Sequence, residues 1–335
     1  MNNTGLITVT LFCSVGSDII EPGMADLRNR VIVLVGPTAV GKTSVSVELA
    51  RLVNGEIVSA DSVAVYKKLD IGSAKPTIQE QNAVKFHMIN VLDPQELFSA
   101  GDFQKLAQAA ILDIINRGKT AIVVGGSGLY VKAAIDGLNL SLPDKDVNLR
   151  RRLYAIAELR GHEYVHRILG KLDRLSVEKI PAGNLKRVIR TIEITLSGDK
   201  PASELYAEDA ARPSTFPDAV FFGLRLPRAQ LYERIDYRVD SMIRQGFVHE
   251  VRGLIESGTP KHALSMQSLG YKEIVSFLNG GFSLSEAIEE IKKNTRRFAK
   301  RQNTWFKADE RIRWVDMQCL SARQVAVMIK ESLTE

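Results

Sequence analysis

Cysteine is scarce in this sequence: two in 335 residues, Cys13 and Cys319, with no CxxC spacing. This excludes a disulfide framework and a cysteine-based structural zinc site, and reads as free thiols in a reducing cytosol. Histidine is scarce as well. Of His87, His162, His166, His249 and His262, only the pair at 162 and 166 has a ligand-like spacing, and it lacks a third ligand, so no metal site of that kind is expected. Long apolar runs are missing too. Stretches such as Val31–Val35 and Ala121–Val124 are far shorter than the roughly 18 to 20 residues that cross a bilayer, which excludes a transmembrane helix. There is no low-complexity tract, and 45% hydrophobic with 25% charged residues are ordinary globular proportions, which excludes disordered and fibrous classes. The length suits one large domain with a smaller one inserted or appended. A net charge of +6 with a pI near 9.2 is compatible with a polyanionic partner without requiring one.

The first residues carry a weakly apolar stretch, Leu6–Val15, with no Lys or Arg before it and no small-x-small site after it, so a secretory signal is not expected. Residues 1–23 read as a leader, disordered or not native, with Met24 as the alternative start.

What is present begins at Val31-Ile-Val-Leu-Val35, a β-branched run typical of a buried parallel strand. It leads directly into Gly36-Pro37-Thr38-Ala39-Val40-Gly41-Lys42-Thr43, a complete GxxxxGK[ST] motif. The residues after it carry Val45, Leu49, Leu52 and Val53 at helical spacing, so the motif sits between strand and helix, the context it needs. Such a loop turns backbone N–H groups inward, adds a helix N-terminus, and supplies a mobile cation in Lys42. It predicts a di- or triphosphate site, with the Thr43 hydroxyl placed to ligate Mg²⁺. The strand Glu56–Ala60 then delivers Asp61 to the carboxyl edge of the sheet, where open α/β sheets bind ligands, which makes Asp61 a candidate base as well as a candidate turn residue. Thr120–Val124 runs into Gly125-Gly126-Ser127-Gly128 where an ATPase places its Mg²⁺-holding acid. This weakens a hydrolytic reading and leaves room for another group to come close.

With these residues the sequence resembles the tRNA dimethylallyltransferases, also called tRNA isopentenyltransferases, of the bacterial type, from about Val31 to Val315. The resemblance rests on Gly36–Thr43, Asp61–Pro76, Phe98–Phe103, Gly125–Tyr130, Gly270-Tyr-Lys-Glu273 and Thr295–Phe306, in that order. It implies a P-loop NTPase-like parallel sheet flanked by helices. It also implies transfer of a dimethylallyl group from dimethylallyl diphosphate to N6 of the adenosine 3′ of the tRNA anticodon, with Mg²⁺ as cofactor. Departing diphosphate leaves an allylic, cation-like carbon, so donors and Lys42 must neutralise the leaving group while a base takes the amine proton. By resemblance Asp61 is that base, and Asp61, Ser62, Val63, Ala64, Ser127, Arg150 and the stretch Lys186, Arg187, Val188, Ile189 and Arg190 contact the tRNA. Departures occur at Ala64, where Gln is frequent, at Phe86-His87, where a doubled His is frequent, and at Ser127, where Thr is commoner.

Charge is concentrated in two places. Between Lys145 and Lys200, thirteen Lys and Arg stand against seven Asp and Glu, an excess equal to that of the whole chain. Helices expected near 148–160, 163–171 and 184–196 make this a helical insertion, residues 141–199, between core segments 24–140 and 200–335. Its cations are read as phosphate contacts that fix the position of RNA rather than read its bases. The second place is Lys292–Lys307, with seven cations in sixteen residues and no acid. On a helical wheel six of the cations share one half, and Ile288, Ile291, Phe298, Trp305 and Phe306 take the other. The aromatics are read as core rather than base-stacking platforms, and the cations as lining a groove for nucleic acid or diphosphate. Arg234 and Arg238, four apart on a helix opened by Pro227, are read either as surface partners of Glu233 or Asp236 or as a diphosphate clamp.

Three rivals remain open on the residues alone: a prenyltransferase acting on free AMP or ATP, a small-molecule P-loop kinase, and a non-catalytic RNA-binding protein. The basic insertion favours tRNA over a free nucleotide, and the intact Lys42, Thr43 and Asp61 disfavour a non-catalytic role. A cytoplasmic monomer is the expectation, with no membrane partner.

Overall fold

The computed structural model describes residues 30–140 and 146–333. The leader at 1–23, Met24, Cys13 and Lys145 lie outside these residues. In chain order the strands are β1 (Val31–Val35), β2 (Gly55–Ala60), β3 (Phe86–His87), β4 (Thr120–Gly125), β5 (Val220–Arg225) and β6 (Ile312–Asp316). The helices are α1 (Lys42–Leu52), α2 (Ile78–Ala83), α3 (Ala100–Asn116), α4 (Gly128–Asp136), α5 (Val147–Arg160), α6 (His162–Leu172), α7 (Arg174–Lys179) and α8 (Leu185–Ser197). They continue as α9 (Ala202–Ala211), α10 (Arg228–Arg244), α11 (Phe247–Glu256), α12 (Tyr271–Leu278), α13 (Leu284–Lys307) and α14 (Ala322–Glu331).

All six strands are parallel, in the order β3-β2-β4-β1-β5-β6. Both faces are covered, so the central strands need no polar alternation, and every residue of β1 and β4 is buried. Ile32 and Leu34 pack with Val45 and Leu49 of α1, and with Ile329 and Val325 of α14. The outer strands were harder to foresee. β3 has only two residues, and β6, at the opposite edge, keeps Ile312 and Val315 buried but leaves Arg313 and Asp316 exposed.

The chain divides into two compact units, one formed by residues up to Ile135 and from Phe216 onward, the other by Asp136–Thr215. The second unit is wider than the 141–199 expected from charge, because α9 is part of it: Ala202 N–H donates to Thr195 Oγ1 at 3.1 Å and Ser203 N–H to Asp173 Oδ2 at 2.8 Å. Its core is a cluster from α5, α6 and α8 that includes Leu153, Val165, Leu169, Val188 and Ile192. Val188 and Ile189, read from the sequence as RNA contacts, are buried in this cluster. One helical turn cannot turn five consecutive residues to solvent, so only Lys186, Arg187 and part of Arg190 stay accessible.

Candidate active site

The carboxyl ends of β1, β2 and β4 and the start of α1 surround a cavity of about 400 Å³. Thr38, Ala39, Gly41, Lys42 and Thr43 of the glycine loop line it, together with Asp61, Lys75, Arg234, Arg238 and Gln302. Gly36, Pro37 and Val40 do not. The first two instead turn their carbonyls to the Lys42 ammonium, which donates to Gly36 O at 2.9 Å and Pro37 O at 2.8 Å. Gly36 has φ +148°, and a Cβ there would lie 2.6 Å from Leu224 O, so the tight exit from β1 needs glycine. Burial away from water, with Arg238 close by, pushes the Lys42 pKa down to about 7 despite the attraction of Asp61.

Asp61 follows β2 and serves two purposes. Its Oδ1 accepts from Val63 N at 2.8 Å and Ala64 N at 3.2 Å, closing an Asx turn, while its Oδ2 has no hydrogen-bond partner among the described residues. The turn reading of Asp61 therefore holds, and the same residue lines the cavity. Ser62 is exposed and Val63 half-buried, but the Ala64 side chain is buried and contributes only backbone to this turn. Arg234 and Arg238 both line the cavity and have no ion pair among the described residues. Surface pairing is thus not their role, and Asp236 pairs instead with Arg296 at 2.5 Å.

The glycines after β4 make room for α13. A Cβ on Gly126 would lie 2.3 Å from Gln302 Nε2, and one on Gly128 2.1 Å from Trp305 Nε1. Gln302 is buried and uses both ends of its amide, accepting from Thr38 N–H at 2.8 Å and donating to Gly126 O at 2.9 Å. It ties the phosphate loop to the end of β4. Gln302 lies within the Thr295–Phe306 motif, but nothing in its sequence context reveals this role. Glu250 of α11 was missed altogether: its carboxylate accepts from the N–H groups of Asp70, Ile71 and Gly72 and from the Tyr271 hydroxyl, and so fixes the loop that carries Ser73 and Lys75 to the cavity. A lone helical glutamate has no periodic signal that would reveal this.

The expected aromatic face of α13 is only partly core. Ile291 and Phe306 are buried and Phe298 borders the cavity, but Trp305 is 51% exposed. The wheel groups Trp305 with residues that are buried, yet it is exposed although the next residue, Phe306, is packed inside. His87 binds Glu56 at 2.7 Å and does not line the cavity.

In the helical unit, Arg150 holds Glu193 through two bonds of 2.5 Å and Arg190 reaches the same carboxylate at 3.2 Å. Glu193 is 1% exposed, so these arginines neutralise a buried charge while part of each side chain stays accessible. Ser127, half-buried before α4, has a hydroxyl with no partner among the described residues.

Comparison with known proteins gives the family. The sequence profile of the family described as IPP transferase matches residues 64–309, most of the chain. The chain belongs to the IPP transferase family. It is 43% identical over 288 residues to the tRNA dimethylallyltransferase of Acetivibrio thermocellus, covering 86% of this chain and 92% of that one. A protein of the same name from Carboxydothermus hydrogenoformans is 43% identical over 290 residues, covering 87% and 93%. Among solved structures, the tRNA isopentenylpyrophosphate transferase of Bacillus halodurans superposes with a TM-score of 0.68 at 38% identity, over 91% of this chain and 95% of that one. A eukaryotic dimethylallyltransferase acting on tRNA gives 0.73 at 29% identity, over 91% and 79%. The P-loop NTPase-like architecture is thus shared by this member of the IPP transferase family. The glycine loop precedes the matched segment, so Lys42 and Thr43 are placed by the structure itself.

Proposed function

We propose that this protein transfers a dimethylallyl group from dimethylallyl diphosphate to N6 of the adenosine 3′ of the anticodon in tRNA, releasing diphosphate, and that it does so in the cytoplasm. The observation that carries the reading is the meeting of a phosphate loop, two unpaired arginines and a half-free carboxylate in one cavity.

The chemistry assigns each residue a task. Lys42, Arg234, Arg238 and the first-turn N–H groups of α1 hold the diphosphate and neutralise the charge that builds on it as the C1–O bond breaks. A smaller adjoining cavity of about 100 Å³, walled by Ile235, Val239, Phe247 and Phe298 and bordered by Asp61 and Arg238, suits a five-carbon apolar chain. The adenine amine attacks C1 as diphosphate leaves, and the free Oδ2 of Asp61 takes the amine proton.

Mg²⁺ fits this site on its donor chemistry. Thr43 offers a hydroxyl without a hydrogen bond beside the diphosphate position, and the described residues contain no cluster of three His, Cys, Asp or Glu. One protein oxygen completed by phosphate oxygens and water is the coordination Mg²⁺ favours. When bound, it would supply further neutralisation of the leaving group. In the helical unit, Lys186, Arg187 and the accessible parts of Arg150 and Arg190 would hold tRNA phosphates.

The test is incubation of the purified protein with Mg²⁺, labelled dimethylallyl diphosphate and either unmodified tRNA with adenosines after its anticodon or AMP, followed by digestion to nucleosides. Label in N6-modified adenosine from tRNA alone is the expected result. Label in AMP alone, or in neither, overturns the proposal.

A further inference from the structure

The apolar pocket beside the reaction cavity is built by two helical stripes. Helix α10 contributes Ile235, Val239 and Met242, and α13 contributes Ile291, Thr295 and Phe298, both at the i, i+4, i+7 spacing that keeps side chains on one helix face. The one hydroxyl among them is used within its own helix, because Thr295 Oγ1 donates to Ile291 O at 2.7 Å, so these walls offer a ligand no hydrogen-bond donor. The pocket shares Thr38, Asp61 and Arg238 with the reaction cavity, and that common edge is its mouth.

Phe247, the first residue of α11, lines the pocket but not the cavity and is 1% exposed. Its ring is held on three sides. Tyr271 meets it edge to face, with centroids 5.0 Å apart and planes at 83°. A Cβ on Gly270 would lie 3.3 Å from the ring, and one on Gly72 would overlap it. Gly72 does not have a positive φ, so glycine is needed there for space and not for backbone conformation. Glu250 locks this frame, accepting from the Gly72 N–H at 3.2 Å and from the Tyr271 hydroxyl at 2.7 Å. A ring enclosed in this way has no space to swing aside for a longer ligand.

With diphosphate on the glycine loop and the reacting carbon beside Asp61, the hydrocarbon chain runs from the mouth toward this ring. We propose that Phe247 sets the length of the donor, stopping the chain at one isoprene unit and excluding geranyl diphosphate. This rests on the prenyl-transfer reading above and adds to it the residue that selects among donors. Removing the ring frees the space of about six carbons, close to what a second isoprene unit needs. Transfer from the longer donor is otherwise the same reaction: the C1–O bond breaks, the N6–C1 bond forms, diphosphate leaves and the amine proton goes to Asp61.

The test compares kcat/KM for dimethylallyl and geranyl diphosphates, with unmodified tRNA as acceptor, in wild type, Phe247→Ala, Phe247→Leu and Met242→Ala. Wild type should prefer the shorter donor by about a hundredfold or more. Phe247→Ala should shift the ratio of the two values toward geranyl diphosphate by about a hundredfold or more, and Phe247→Leu, a smaller loss of volume, by roughly tenfold. A merely structural role would lower transfer from both donors alike and leave the ratio where it is. Should Phe247→Ala lose its cooperative thermal transition, Phe247→Leu decides. Met242 also faces the outer depression that holds Gln81 and Asn90, which makes it the rival stop. A shifted ratio in Met242→Ala and none in the Phe247 variants overturns the proposal. An unchanged ratio in the folded Phe247 variants, or wild type that uses geranyl diphosphate as readily as the shorter donor, does so too and leaves the prenyl-transfer reading intact. Wild type that transfers neither chain removes both.

Discussion

Strand β2 carries two acids five positions apart, Glu56 near its start and Asp61 just past its end, and the protein treats them in opposite ways. Glu56 is 2% exposed and saturated: Arg117 donates to both its oxygens at 2.5 and 2.7 Å, Lys119 donates at 2.8 Å and His87 lies at 2.7 Å. These bonds, the Arg117 pair foremost, hold its carboxyl well below the usual glutamate range despite burial. At the other end of the sheet Asp61 keeps one oxygen free and attracts Lys42 and Arg238 only from a distance, and Lys42, Arg234 and Arg238 make no ion pair among the described residues. A charge whose partners all lie in the protein contributes to the fold. Charges left without counter-charges in a cavity cost stability, and their presence calls for a ligand that supplies what is missing.

Changing one residue at each end should separate the two roles. The largest effect is expected from Asp61→Asn, whose amide oxygen can still close the turn to Val63 and Ala64. Single-turnover rates should fall by roughly 10² to 10⁴, with RNA and diphosphate affinities nearly unchanged. Next, Glu56→Gln should leave the turnover rate intact but lower unfolding free energy by about 3 kcal/mol, because it strands the cations gathered around a buried site. Denaturant titration measures this. Gln302→Leu sits between the classes. It leaves the Thr38 N–H and Gly126 carbonyl unpaired, so a stability loss of about 1 to 3 kcal/mol should accompany a raised KM for the diphosphate substrate.

The two ends also respond differently to pH. Lys42 titrates near 7 when folded and near 10.5 when unfolded, so its burial penalty is full below pH 7 and is relieved as pH rises from 7 to 10.5. Over that range the ligand-free protein gains stability while its diphosphate affinity falls, by up to about tenfold per pH unit, as the ammonium is lost. Glu56 contributes fully above its ordinary value of 4.5, and that contribution is lost as pH falls toward its much lower folded value. Calorimetric titrations and denaturation at stepped pH would resolve both. The smallest effect is expected in the helical unit: Lys186→Glu with Arg187→Glu should weaken tRNA binding mainly at low salt and flatten its salt dependence.

Much of this was legible in the sequence, and for local reasons. The glycine loop, Asp61 and the strands around them are contiguous motifs whose residue types follow from the conformation or chemistry required at each place. Arg234 and Arg238 were legible as an i, i+4 pair, although only the structure shows that Asp236 is taken by Arg296. Gln302, Glu250 and the exposure of Trp305 were not legible, because each depends on a partner far away in the chain. Val188 and Ile189 show the reverse error, in which a run of neighbouring residues was treated as one surface although a helix divides it between core and solvent.

The contrast between the two ends is tested most directly by a pair of arginine variants, Arg238→Gln at the cavity and Arg117→Gln beside Glu56, each measured for inorganic diphosphate affinity and for Tm. The account predicts at least a tenfold weaker Kd with an unchanged or raised Tm for Arg238→Gln, and a lowered Tm with an unchanged Kd for Arg117→Gln. Equal diphosphate affinity in the two variants would contradict it.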